Sequence, residues 1–291
     1  MRLPACLADM TRRSILRILA LLLGLAVLRP GWTAEVRPLV FGVFPSLTAK
    51  QIVETYRPLA DKLEKHLQRP VVIYSARDFR TFVERTRQGE YDILLTAPHL
   101  AWLARQDAGY QPLLKYAQPV RGLLVVKSTS PLDDIDALRG RIIATADPIA
   151  VVVLAMQADL ARHGLRHGID YRTTDSGNHI NAVMQVLNSR TDAAVLGSNP
   201  YMLMPAEWRQ QLRVLAETPP LSSLMYLTHP RLRDSEVQAI RQGLLAFAAT
   251  PEGQAFMQRG GHGGFTPVDG SELRAFRPYA LQAQDMLQKK P

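Results

Sequence analysis

The stretch that most constrains the fold is Leu39-Val-Phe-Gly-Val-Phe-Pro-Ser-Leu-Thr48, together with the helix pattern behind it. Leu39 to Val43 is a short apolar run of β-branched and aromatic residues, which predicts a buried strand. Pro45 and Ser46 end it. Ile52, Tyr56, Leu59, Leu63 and Leu67 then recur at intervals of three and four, the spacing of one helix face. A strand that turns at once into a helix presents free backbone N–H groups at its carboxyl end, where ligands bind in open α/β sheets. Ser46 and Thr48 add hydroxyls there, and Thr48 also reads as an ordinary N-cap.

The same alternation continues. Val71 to Tyr74 reads as a strand, and Asp78 caps a helix carrying Phe79, Phe82 and Val83. Tyr91 to Thr96 is the next strand, and Ala97-Pro98 opens another helix with proline in its first turn. After strands at Gln111–Lys115 and Gly122–Lys127, a second series begins. It runs strand Arg141–Thr145, helix Ile149–His163, strand Tyr171–Thr174, helix Asn178–Asn188, strand Asp192–Leu196. Strands at Arg213–Ala216 and Leu224–Thr228 and helices after Asp234 and Pro251 close the chain. This order predicts an α/β protein of two lobes, each a mostly parallel sheet with flanking helices, with a cleft between them. Gly260-Gly-His-Gly-Gly264 follows a helix instead of opening one, so it is not a phosphate loop, and His262 reads as a solvated loop residue.

Charge enters at the N-terminus. The chain carries a formal +9, but residues 1–34 hold five arginines and one aspartate, so the remainder carries +5. Those basic residues are mixed with acids and form no run interleaved with aromatics, which argues against a nucleic-acid partner. Arg12, Arg13 and Arg17 precede the apolar run Ile18 to Leu28, too short for an ordinary membrane span. Residues 1–34 therefore read as a signal peptide with cleavage after Ala34, and the location as the periplasm. Trp32 fits the cleavage site poorly, so an uncleaved anchor stays open. Thr11-Arg-Arg-Ser-Ile-Leu-Arg17 suits the twin-arginine route and the leucine-rich core the general secretory route. Cys6 is the only cysteine, so a chain cleaved after Ala34 holds no disulfide and no thiolate nucleophile. His99, His163, His167 and His179 are not spaced with acids as metal ligands are, and there is no Gly-x-Ser-x-Gly. These residues predict no cofactor, no metal and no catalytic residue.

Several segments resemble the phosphate/phosphite/phosphonate-binding family of periplasmic solute-binding proteins that serve ABC importers, of the type II periplasmic-binding-protein fold. They are Tyr56-Arg-Pro-Leu-Ala-Asp-Lys-Leu63, Gly89-Glu-Tyr-Asp-Ile93, Lys127-Ser-Thr-Ser-Pro131 with Leu138-Arg-Gly140, Asp147-Pro148, and Gly177-Asn-His179. The likeness spans about residues 38 to 265. It implies a lobe one of 36–125 plus 225–291 and a lobe two of 126–224, closing as a hinge on a small ligand. By position, the ligand would meet Pro45, Ser46, Thr48, Phe79 and Thr96 from lobe one, and Asp147, His179 and Asp192 from lobe two. Four of these have a plain structural alternative: a cap for Thr48 and Asp147, a capping or surface histidine for His179, local pairing for Asp192. Tyr201, after Ser198-Asn-Pro200, reads either as a stacking wall of the cleft or as core. The partner is an ABC permease or, alternatively, a membrane sensor kinase; an enzyme on this scaffold would need an acid/base pair that the sequence does not offer.

Two departures bear on the ligand. The hydroxyl cluster that the family places after Asp-Pro is here Ala150, Val151 and Val152, and the acid that follows its histidine is here Ile180. Each hydrogen bond lost to a charged group costs roughly 1.5–3 kcal/mol. 2-Aminoethylphosphonate is therefore expected to bind weakly or not at all, and submicromolar binding by calorimetry would contradict the reading.

Overall fold

The structure, a computed structural model, describes residues 37–289. The signal-peptide expectation for residues 1–34 lies outside the described residues. Among the described residues no helix is long and apolar enough to cross a membrane. Among the described residues eleven strands form two sheets, one of six strands and one of five.

In the first sheet β1 (Leu39–Val43) lies between β2 (Val71–Tyr74) and β3 (Ile93–Thr96), parallel to both. The connections are α1 (Ala49–Leu67) and α2 (Phe79–Arg87), and α3 (Pro98–Ala108) follows β3. The second sheet repeats the device. There β6 (Ile142–Thr145) lies between β7 (Arg172–Asp175) and β8 (Ala193–Gly197), again parallel. Its helices are α4 (Val151–Arg162) and α5 (His179–Leu187), with the short α6 (Ser198–Leu203) and α7 (Ala206–Arg209) after β8. Buried apolar side chains fill both faces of each sheet, as sheets covered by helices on both sides require.

Three strands run against the rest; one is the two-residue edge strand Phe265–Thr266, antiparallel to its neighbour, and the path of the chain explains the other two. β4 (Gln111–Tyr116) ends on the side where β1 and β3 end. The chain crosses from there to the second sheet and enters it as β5 (Gly122–Lys127), antiparallel to β8 and β9 (Leu212–Glu217). It returns after β9 and enters the first sheet as β10 (Met225–Thr228), antiparallel to β3 and β4. A strand that starts at the carboxyl ends of its neighbours must run opposite to them. Gly122–Lys127 thus pairs wholly within the second sheet, so the outward crossing occupies residues 117–121, ahead of the expected boundary at 125/126. The return occupies 218–224. The two crossing segments hydrogen-bond to each other, Val120 N to the Leu221 carbonyl at 2.9 Å and Leu221 N to the Val120 carbonyl at 2.8 Å.

The C-terminal part returns to the first sheet through α8 (Asp234–Ala248), α9 (Pro251–Gly260), the two-residue β11 (Phe265–Thr266), α10 (Gly270–Ala275) and α11 (Arg277–Gln288). The glycine-rich break between α9 and β11 is tightly placed. His262 is buried and stacks on Tyr116 with ring centroids 3.8 Å apart, which corrects its reading as a solvated loop residue.

One aspartate opens the third parallel strand of each sheet. Asp92 Oδ2 accepts from Val40 N at 2.8 Å, and its Oδ1 accepts from Arg231 Nε at 2.6 Å. Asp192 Oδ2 accepts from Ile142 N at 2.9 Å, with Arg141 3.5 Å away. The first carboxylate is 1 % exposed and the second is open to solvent on one side. Removing a buried charge partner costs about 3–5 kcal/mol, whereas a half-exposed pair is worth about 1 kcal/mol or less. Asp92→Ala is expected to lower the unfolding free energy by about 3 kcal/mol or more, and Asp192→Ala by about 1 kcal/mol, measured by urea denaturation.

Candidate functional site

The carboxyl ends of the parallel strands of both sheets face one another, and a cavity of about 50 Å³ lies between them. The first sheet contributes Phe44, Ser46 and Leu47 after β1, Phe79 at the start of α2, and Ala97-Pro98 after β3. The second contributes Ala150, Val151 and Val152 at the start of α4, His179 at the start of α5, and Asn199 and Leu203 on α6. Val120, Ser222 and Leu224 come from the two crossing segments, and Tyr56 and His262 stand behind. Among the described residues no lysine, arginine, aspartate or glutamate lines it, and no group of three or more His, Cys, Asp or Glu is placed to hold a metal.

Helix starts converge here because each parallel strand turns directly into a helix. Three of them are capped by their own side chains. Thr48 Oγ1 accepts from Gln51 N at 3.3 Å, Asp78 Oδ1 from Thr81 N at 2.7 Å, and Asn178 Oδ1 from Asn181 N at 2.8 Å. The N-caps of α3, α4 and α6 are Ala97, Ala150 and Gly197, none with a side-chain cap. The start of α4 therefore offers only the donors that every helix N-terminus leaves over, among apolar side chains.

Three hydrogen bonds tie the two sheets' ends together. His99 on α3 meets the Ile149 carbonyl through Nε2 at 2.8 Å. His179 N donates to the Ser46 carbonyl at 3.3 Å. Asn199 Nδ2 donates to the Gly260 carbonyl at 2.5 Å and lies 3.2 Å from His262 Nδ1. His99, His179 and His262 are all buried, and burial pushes each imidazole from its ordinary 6.5 down to about 4. All three rings are neutral near pH 7.

Of the nine residues the sequence put forward, Ser46, Phe79 and His179 line the cavity. Pro45 is buried in the turn, with its neighbours on either side facing the cavity instead. The Thr48 hydroxyl is used in capping α1 with Gln51. Thr96 ends β3 pointing to the sheet face covered by α2 and α3, beside Phe82, Thr86 and Leu100, because side chains alternate along a strand. Asp147 shapes the turn before α4. Its Oδ1 accepts from Ile149 N at 2.9 Å, and burial, with Asp175 and Asp78 nearby, raises its carboxyl to about 6. Asp192 sits at the amino end of β8, the opposite end from the cavity, where it closes the sheet as Asp92 does. Tyr201 points away from the α6 face that carries Asn199 and Leu203, and packs on the core.

His99, Asn199, Ser222 and His262 were missed. Only His99 had a local signal, as the residue after the proline that opens a helix at a strand end.

The imidazoles set a pH dependence. A folded value below the ordinary one means that the unfolded chain takes up protons first as pH falls. The stability tied to each histidine is complete above about pH 6.5 and is lost between there and about pH 4. Asp147, raised from 3.8 to about 6, acts in the opposite sense and offsets one of the three. A net uptake of two protons gives a slope of about 2–3 kcal/mol per pH unit near pH 5. Urea denaturation at pH 7, 6 and 5 is expected to show that decline, and His262→Gln to reduce its slope by about half. A flat profile would contradict the burial of the three rings.

A family model described as the periplasmic substrate-binding protein of ABC phosphonate transporters matches residues 41–273. Among solved structures, the chain is similar to a binding protein component of an ABC phosphonate transporter from Pseudomonas aeruginosa, at 17% identity and TM-score 0.76, covering 86% of this chain and 87% of that one. It is similar to PhnD1 from Prochlorococcus marinus in complex with methylphosphonate, at 13% identity and TM-score 0.71, covering 85% and 98%. It is also similar to the alkanesulfonate-binding protein SsuA from Xanthomonas axonopodis bound to MOPS, at 17% identity and TM-score 0.61, covering 88% and 96%.

Proposed function

The chain belongs to the phosphonate-binding family of periplasmic substrate-binding proteins of ABC transporters, and on that premise we propose that it captures one small polar molecule in the cavity between its two sheets for delivery to a permease. The observation that carries this reading is the cavity itself. It lies where six strand-to-helix turns and both crossing segments meet, so a ligand there touches both sheets at once.

The two sheets with their helices act as lobes, and the Val120–Leu221 pair is the hinge between them. Two chain segments joined by one pair of backbone hydrogen bonds can rotate with little change in packing. Ser46, Phe79 and His179 are the ligand contacts of this reading, joined by Asn199, Ser222 and the start of α4. His99 and the Asn199–Gly260 bond hold the lobes together once they have closed. The protein works as a monomer in the periplasm and performs no chemistry on its ligand. Transport, and not signalling through a sensor kinase, is the role the family supports.

Phosphonate itself is a poor match. The start of α4 gives helix-end attraction worth about 0.3–1 kcal/mol, up to about 2 in buried settings. An ion left unpaired in a buried site costs several kcal/mol. Neutral histidines and valines do not make up that difference.

The test is a thermal-shift screen of small polar and anionic metabolites, followed by a distance measurement between spin labels at Lys65 and Arg190. A ligand at a hundred times its dissociation constant stabilises the fold by about 2.7 kcal/mol. Binding is expected to shorten the label distance and narrow its distribution. A saturating ligand that leaves the distance unchanged would sink the hinge.

A further inference from the structure

Most of the residues around the cavity are apolar, and both lobes supply them. Phe44 and Phe79 come from the first, Val151, Val152 and Leu203 from the second. Phe44 and Phe79 meet edge to face with ring centroids 5.7 Å apart, which holds that wall in one shape. Val151 and Val152 open α4 behind Ala150, an N-cap with no side-chain hydrogen bond. The first turn of α4 thus adds hydrocarbon, whereas Thr48, Asp78 and Asn178 put oxygen at the starts of α1, α2 and α5. Both rings and both valines are buried. Ser46, His179 and Asn199, polar residues through which the lobes touch, stand among these walls.

Burial decides what such walls accept. A polar surface set against Phe or Val loses its water and gains no hydrogen bond. A void there forfeits the dispersion contacts that the walls would otherwise make. An aliphatic group avoids both costs, and each methylene it buries is worth about fourfold in affinity. Volume limits its length. One water-sized position takes at least about 10–15 Å³ of cavity, so the 50 Å³ between the lobes holds roughly three to five. A methyl or methylene group is close to water in size.

We infer that the ligand carries a short aliphatic group of about three to five carbons, buried against Phe44, Phe79, Val151 and Val152, and that the two valines set its length. This assignment rests on the binding reading above and deepens it.

The test separates the aliphatic group from the polar group that carries it. Straight-chain carboxylates from acetate to octanoate, and the matching primary amides, are titrated at pH 7 into the protein with ¹³C-labelled valine methyls. Xenon serves as a probe with no polar group. Xenon is expected to shift the Val151 and Val152 methyls, as it does where an apolar cavity stays dry. In at least one series, affinity read at those methyls is expected to rise about fourfold per methylene and to stop rising between butyrate and hexanoate, or between their amides. The double variant Val151→Ala, Val152→Ala enlarges the cavity and is expected to move that break to a longer chain. Should the variant not fold, the profile of the unaltered protein decides alone. A flat profile, tightest binding by the shortest members, or silence of both valines toward every probe including xenon would overturn the inference. A break that stays in place in the folded variant would overturn the role given to the valines. The cleft reading is judged separately, by the label distance between Lys65 and Arg190. A metabolite that shortens that distance but carries no aliphatic group would leave the cleft reading standing and overturn this one.

Discussion

His99 Nε2 and the Ile149 carbonyl, 2.8 Å apart, join the end of one sheet to the end of the other with no solvent between them. A carbonyl at that distance fixes the ring proton on Nε2, and burial keeps a second proton off. His179 and His262 sit in the same junction, where burial likewise holds each ring uncharged. Three imidazoles packed against backbone carbonyls, an amide and aromatic rings can stay there only while uncharged. The polarity of the cavity follows from this, because the residues that could have supplied positive charge are held neutral by the packing that closes the cavity.

The path of the chain sets where that junction lies. Both crossings leave from strand carboxyl ends, so the sheets face each other with those ends inward, and β5 and β10 are forced to run against their neighbours. Helix N-termini gather at the same place for the same reason. A scaffold of this kind offers backbone donors whatever its sequence, and the side chains of the first helical turns decide what they can hold. Here those side chains are Ala150, Val151 and Val152 from α4, which leave the geometry of an anion site and remove its hydroxyls.

The pairing of Asp92 and Asp192 shows how a family likeness can mislead at the level of one residue. Both precede the third parallel strand of a sheet, and both accept from the first strand's backbone. The role is structural in each case. Position in the motif order made Asp192 a ligand candidate, whereas its place at the amino end of β8 removes it from the cavity.

The sequence by itself determined the elements and their order. Apolar periodicity placed β1, β3, β6 and β8 and the helices after them, since burial of one face leaves a period that local reading can detect. It also marked Ser46, Phe79 and His179, which stand at turns where a strand ends and a helix starts. What it could not supply was the meeting of residues far apart in the chain. Asn199 reaches Gly260 across 61 positions and His99 reaches Ile149 across 50. His262 sits in a run of glycines that reads as solvent until Tyr116 covers it. The protonation of the His99 ring depends on which carbonyl lies opposite it. That is decided only when the two sheets close on each other.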